Sequence, residues 1–140
     1  MKKSLGMKAF AIALMAAVVF SFVGCSGSVK ESDVSYAGPA LDNVLAGIKD
    51  NDYAMFSKDF EDNLKNQITE DSFHTLASSL QTQIGDYQSR TYAGAVASTQ
   101  NNVQYMTVLY KAKYTKADVQ ITIAFSGNNG AYKVSGLWFK

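Results

Sequence analysis

Apolar side chains recur with a helical period in the first half of the chain and with a strand period in the second. Leu41, Val44, Leu45 and Ile48 are spaced i, i+3, i+4, i+7, which is typical of one buried face of a helix. Similar stripes run over residues 53–64 and 73–84. The pattern therefore predicts three helices between residues 39 and 84.

Residues at the ends of these stripes support the predicted helix boundaries. Pro39 suits a first helical turn, and Asp52 and Thr69 suit N-cap positions. Gly85 suits the position just after a helix, where a left-handed backbone is needed. The helical half of the domain therefore ends at Gly85.

After Gly85 the apolar period becomes that of a strand. The alternation predicts four strands, over residues 87–98, 103–115, 119–125 and 131–140. Turns are predicted at the asparagines at 101–102 and at the "GNNG" at 127–130. In the second strand Met106, Val108, Tyr110, Ala112 and Tyr114 lie on the more apolar face. Helices followed by an antiparallel meander indicate an α+β domain, with one sheet face on the helices and the other facing solvent.

The N-terminal residues have the pattern of a signal peptide. Lys2, Lys3 and Lys8 precede the uncharged apolar run of residues 9–22. That run is shorter than the roughly 20 residues that cross a bilayer, which disfavours a membrane-spanning anchor. We therefore predict a signal peptide over residues 1–24.

Cys25 is the only cysteine of the chain and directly follows this signal. The stretch Phe22-Val23-Gly24-Cys25 resembles the lipobox of bacterial lipoproteins, although Phe22 stands where that motif usually has Leu. The resemblance implies cleavage before Cys25, a diacylglycerol on its sulfur and often a further fatty acyl chain, such as palmitate, on the new amino terminus. The alternative is an ordinary signal with a chance cysteine.

Lipidation at Cys25 would divide the chain into three parts. The predicted parts are a signal peptide (1–24), a lipidated cysteine with a flexible tether (25–38) and a folded domain (39–140). Two or more acyl chains suffice for stable anchoring, so the predicted location is the cell membrane or the outer membrane, on the exported side. The membrane is then a partner through Cys25, and no thiol remains for catalysis.

Charge excludes another class of partner. Removing residues 1–24 leaves 140 − 24 = 116 residues, with 10 basic and 12 acidic side chains, a formal balance of −2. A chain without a basic stripe is not expected to bind nucleic acid. The remaining predicted partners are a small ligand or a protein of the cell envelope.

The order of elements and several local motifs resemble known proteins. Three helices before four antiparallel strands resemble the NTF2-like (cystatin-like) cone, in which helices pack on a curved sheet. The segments "AGIKDNDYAMFSKDF", "ITEDSFHTLASSLQTQIGDYQ" and "YKVSGLWF" resemble the DUF3887 group of bacterial and archaeal domains of unknown function. This resemblance covers about residues 39–140 and implies a cone with a cavity open at one end, but no activity.

Few residues suit catalysis. Cone-fold isomerases and hydratases need a carboxylate base facing a proton donor, and the candidates for a base are Asp42, Asp59 and Glu61. His74 is the only histidine and lies off the apolar stripe, so we interpret it as a surface residue. Without a second histidine or a free cysteine, no metal site and no cofactor is predicted.

Aromatic residues are the unusual feature of the chain after Cys25, which holds all eight tyrosines and the single tryptophan. Each such ring offers an apolar body with a polar tip. Tyr53, Tyr92, Tyr110 and Trp138 are the candidates for lining a pocket, although all four could instead fill the core.

Three functions remain open at this point. The favoured one is a non-enzymatic, lipid-anchored module that binds a ligand or protein at the cell envelope. The alternatives are a small cone-fold enzyme of the isomerase or hydratase type and an accessory module that self-associates through its outer sheet face.

Overall fold

The computed structural model describes residues 28–128 and 131–140. The predicted signal peptide and Cys25 lie outside these residues. The elements, in chain order, are a 3₁₀ helix (Glu31–Val34), α1 (Ala37–Asp50), α2 (Tyr53–Phe56), α3 (Asp62–Gln67), α4 (Glu70–Ile84), β1 (Tyr87–Gln100), β2 (Val103–Tyr114), β3 (Asp118–Asn128) and β4 (Ala131–Phe139). No helix among the described residues is long and apolar enough to cross a membrane.

The four strands form one open antiparallel sheet in the order β1-β2-β3-β4. Asn101 and Asn102 connect β1 to β2 with positive φ angles of 50° and 63°, as a tight hairpin turn requires. The "GNNG" turn lies partly outside the described residues, but β3 and β4 pair as far as Asn128 and Ala131. The predicted meander is confirmed.

One face of the sheet, here called the inner face, carries the core. Its buried side chains alternate along the central strands as predicted, and they include Val108, Tyr110, Ala112 and Tyr114 of β2 and Val119, Ile121, Ile123 and Phe125 of β3. The α1 stripe of Leu41, Val44, Leu45 and Ile48 is buried in the same cluster. The mixed helix-and-sheet class is therefore confirmed.

The predicted second helix is wrong, because residues 53–64 form two helices separated by a turn. Phe60 leaves the helical path and makes a parallel bridge to Val134 of β4. The Val134 N–H donates to the Asp59 carbonyl (2.7 Å), and the Glu61 N–H donates to the Val134 carbonyl (2.9 Å). These two bonds to the edge strand replace helical ones, so four helices rather than three precede the sheet.

Residues before Pro39, in the stretch predicted to be a tether, also pack on the described domain. Val34 is fully buried in the core and Val29 packs against it. Tyr36 stacks on Tyr132 of β4, with ring centroids 4.4 Å apart, and burial raises the pKa of Tyr36 to about 12. We call Val29–Tyr36 the N-terminal arm. The arm is part of the folded domain because its apolar side chains are buried. The sequence did not predict this, because these side chains are scattered and form no periodic stripe.

Gly47 sets the distance between α1 and α2. A Cβ at this position would lie 2.5 Å from the Phe56 nitrogen and 2.6 Å from its Cα, which are backbone atoms that cannot rotate away. We expect Gly47→Ala to lower the free energy of unfolding by about 1–3 kcal/mol, the usual cost of overpacking. Urea denaturation measures this.

Gly38→Ala is the matched control in the same helix. There the nearest atom is Nη2 at the tip of the Arg90 side chain, 3.1 Å away, which needs to shift by only a few tenths of an ångström. Alanine gains roughly 0.5–1 kcal/mol over glycine within a helix, so this variant should be neutral or stabilising. Equal losses of stability in both variants would contradict the proposed contact between α1 and α2.

Candidate functional site

Polar and aromatic side chains meet where the first half of α1 lies over β1 and β2. Tyr92 and Tyr110 are cross-strand partners, with ring centroids 5.9 Å apart. Arg90 lies two residues before Tyr92 on the same face, and its guanidinium carbon is 5.0 Å from the centroid of the Tyr110 ring. Asp42 reaches this group from α1. We call Asp42, Arg90, Tyr92 and Tyr110 the tyrosine–arginine cluster.

The ion pair of Arg90 and Asp42 joins the helix to the sheet. Arg90 donates from Nε to Oδ1 of Asp42 (2.8 Å) and from Nη2 to Oδ2 (3.0 Å), so the pairing is bidentate. The Arg90 side chain is 19% exposed and that of Asp42 is 57% exposed. The hydrogen bond to Asp42 raises the pKa of Arg90, although burial opposes it. The cluster therefore contains a fixed positive charge with a carboxylate already bound to it.

Tyr110 is fully buried, and its hydroxyl finds no hydrogen-bond partner among the described residues. Burial raises the pKa of Tyr110, and the charge of Arg90 partly opposes this rise. Burying a hydroxyl without a partner costs about 1–3 kcal/mol on protein mutational scales. The aromatic ring of Tyr110 thus stabilises the core, while its hydroxyl does not.

Tyr92 connects the cluster to the N-terminal arm. Its hydroxyl donates to the Val29 carbonyl at 2.6 Å. Burial raises the pKa of Tyr92, and the nearby carboxylates of Asp33 and Glu31 raise it further. The cluster is therefore covered on this side by the first described residues of the chain.

The four predicted pocket residues lie in three places. Tyr92 and Tyr110 meet in the tyrosine–arginine cluster. Tyr53 packs against Phe56 and Phe73, and its hydroxyl donates to the Ile68 carbonyl (2.8 Å). Trp138 lies on the outer face of the sheet, where its six-membered ring covers Gly136. A common pocket for all four residues therefore stays a prediction. Of the four, only Tyr92 and Tyr110 contact each other.

The three candidate bases already accept hydrogen bonds from neighbouring side chains. Asp42 accepts from Arg90, as described above. Asp59 Oδ2 accepts from Asn43 Nδ2 at 2.8 Å, and Glu61 Oε2 accepts from Ser126 Oγ at 2.6 Å. Asp59 and Glu61 flank the bridge to β4, whereas Asp42 faces β1. The acids thus lie at two separate positions, where the side chains of Asp42 and Glu61 contact the sheet and that of Asp59 contacts α1.

His74 lies on α4 and is partly exposed. Its Nδ1 is 2.8 Å from Asn51 Oδ1, and its Nε2 is 3.9 Å from a carboxylate oxygen of Glu70. The Asn51 contact holds the end of α1 against α4. Within the described residues no group of three or more histidine, cysteine or acidic side chains could hold a metal ion.

Arg90 is the residue of this cluster that the sequence reasoning missed. It is the only arginine among 13 basic residues, and it lies in phase with Tyr92 on a strand. An arginine on the apolar side of a strand needs a partner, because isolated buried charges are unfavourable. The position of Arg90, two residues before Tyr92 on the same strand, was the sequence feature that could have identified it. Its acidic partner could not be identified, because the sequence does not show how α1 is placed on the sheet.

Two tyrosine-to-phenylalanine variants separate paired from unpaired hydroxyls. Tyr53→Phe removes a hydrogen bond to the Ile68 carbonyl and should lower the free energy of unfolding by about 0.5–1.5 kcal/mol. Tyr110→Phe removes a buried hydroxyl that has no partner among the described residues, so stability should stay equal or rise. Thermal and urea unfolding compare the two. An equal loss in Tyr110→Phe would contradict the assignment of its hydroxyl as unpaired.

Comparison with known proteins identifies a family but no activity. None of the curated proteins compared with the chain matches it. A family profile described as "Protein of unknown function (DUF3887)" matches residues 42–137. The matched region contains the tyrosine–arginine cluster, the first three strands and β4 as far as residue 137, and it begins after the N-terminal arm. The chain belongs to the DUF3887 family.

Proposed function

We propose that this chain is a lipoprotein whose folded domain is a binding module held at the surface of the cell envelope. The observation that carries the proposal is the only cysteine, placed directly after a basic and apolar segment that reads as a signal peptide. Acyl chains on Cys25, including palmitate, would anchor the domain to the cell membrane or outer membrane on the exported side.

We also propose that the domain is an NTF2-like cone. Two features of the sheet support this. Register shifts interrupt β1 between Tyr92 and Gly94, and they interrupt the pairing of β3 with β4 between Ala124 and Phe125. Such bulges bend and twist a strand, which is what a sheet needs in order to curve around helices on its inner face.

The binding role is preferred over catalysis because of the partners of the acids. A general base needs a free lone pair within reach of the substrate proton. A carboxylate offers about four lone-pair sites, so all three acids keep one. Their hydrogen-bond partners are Arg90, Asn43 and Ser126, and none of these is an acid that could serve as the proton donor facing a base. The partners of the module would be a small ligand or another envelope protein, in addition to the membrane itself.

Lipidation at Cys25 is tested by expressing the full chain in bacteria supplied with an alkyne fatty acid. The wild-type chain should take up the label and sediment with membranes. Cys25→Ser should lose the label and appear in the soluble fraction, because the only sulfur that can carry the lipid is gone.

The matched control restores a thiol at another place. Ser78 is exposed on α4, so Cys25→Ser combined with Ser78→Cys returns one cysteine without the preceding Phe22-Val23-Gly24. This double variant should remain unlabelled and soluble. A Cys25→Ser chain that kept both its label and its membrane association would refute the proposed anchor.

A further inference from the structure

The N-terminal arm crosses the inner face of the sheet from one edge strand to the other. At its start, the Val29 carbonyl accepts a hydrogen bond from Tyr92 of β1. In its middle, Val34 is fully buried. At its end, Tyr36 stacks on Tyr132 of β4, with an interplanar angle of 9°. The arm is therefore fixed to the domain at both edges, and its first fixed point lies beside β1.

The 3₁₀ helix shortens and stiffens the arm between these contacts. The Asp33 N–H donates to the Lys30 carbonyl (3.0 Å), and the Lys30 N–H donates to Oδ2 of Asp33 (3.0 Å). Detaching the arm from the sheet would break these hydrogen bonds, expose Val34 and separate the stacked rings of Tyr36 and Tyr132. Fully exposing one buried valine costs roughly 1.5–3 kcal/mol. Among the described residues, Val29 is thus the first that is fixed to the sheet.

Only Ser26, Gly27 and Ser28 separate Cys25 from Val29. A chain spans at most about 3.3–3.6 Å per residue, so the Cα atoms of Cys25 and Val29 are at most about 14 Å apart. A tether ending at residue 38 would instead reach about 40 Å and let the domain turn freely. The position of the arm therefore limits how the domain can orient on a membrane.

Resting on the lipid anchor of the proposed function, we infer that the bilayer holds this domain by its β1 edge. The exit point at Val29 keeps the surface around Tyr92 next to the lipid headgroups. Neighbouring strands are about 4.8 Å apart, so β4 lies about 14 Å further away across the sheet. The surface of β4 and α3, which lies next to β4, faces the aqueous side and is the one available to partners.

The charges on the surface beside Val29 do not favour electrostatic binding to anionic lipids, so the lipid on Cys25 would have to hold this surface at the membrane. Lys30, Glu31 and Asp33 are exposed beside the exit point, which gives one positive and two negative side chains. Ala93 on β1 is exposed and uncharged. Polybasic segments are what anionic lipids attract, and this surface has none among the described residues. The orientation of the domain should therefore be the same on zwitterionic and on anionic lipids, and it should not depend on salt concentration.

Two spin-labelled variants of the full lipid-bearing chain test the orientation. Ala93→Cys places a label on the β1 edge, and Asn66→Cys places one on exposed α3. Each chain is purified from membranes and reconstituted on phosphatidylcholine vesicles that contain a nickel-chelating lipid. Because dipolar relaxation by the surface nickel falls steeply with distance, the label at 93 should relax several-fold faster than the label at 66.

The control lengthens the spacer. An insertion of about twelve Gly and Ser residues after Ser28 restores a reach of tens of ångströms, so it should bring the two relaxation rates together while membrane association persists. Equal rates in the parent chain on vesicles would overturn the inferred orientation and leave the lipid anchor intact. A full chain that carries no lipid and does not associate with the vesicles would overturn both.

Discussion

Burial of the inner face of the sheet is the interaction on which the rest of the structure depends. A single open sheet of four strands cannot cover its own apolar face, so other parts of the chain must supply the cover. Here α1 and the N-terminal arm do so together, and Leu41 and Val34 are both fully buried against the sheet. Each such side chain contributes roughly 1.5–3 kcal/mol when fully buried. The arm is thus a structural element of the domain.

This use of the arm ties the fold to the proposed location of the protein. Because Val29 already packs against the core, only three residues separate the packed part of the chain from Cys25. The same burial that stabilises the domain therefore determines which edge a lipid at Cys25 would hold near a bilayer. The family match begins at residue 42, so the arm is a feature of this chain outside the matched region, while the tyrosine–arginine cluster lies within it.

The sequence predicted the elements that repeat with a regular period. The strands and the faces of β2 and β3 followed from alternation, and Thr69 and Asp52 cap helices as expected, accepting from the N–H groups of Ser72 and Met55. The split of the second helix could not be predicted in this way. Phe56 and Phe60 are spaced as on one helix, whereas the backbone bonds of the Phe60 turn go to Val134, which is distant in sequence.

The candidate pocket was only partly predictable for related reasons. Alternation brings Tyr92 and Tyr110 to one face, and the structure pairs them. In "LWF" at the end of β4, all three residues are apolar, so the pattern could not tell that Leu137 and Phe139 pack on the core while Trp138 lies on the outer face. Val34 and Tyr36 belong to no periodic stripe, and for this reason the arm read as a tether.

Hydrogen exchange along the N-terminal arm tests most directly whether the chain after Cys25 is folded onto the sheet. In the lipid-bearing protein, the amide of Asp33, which donates to the Lys30 carbonyl, should exchange far more slowly than in a free peptide, because opening it requires exposing Val34. Exchange of the arm at free-peptide rates, while α1 stays protected, would contradict this and would make residues 29–36 a tether.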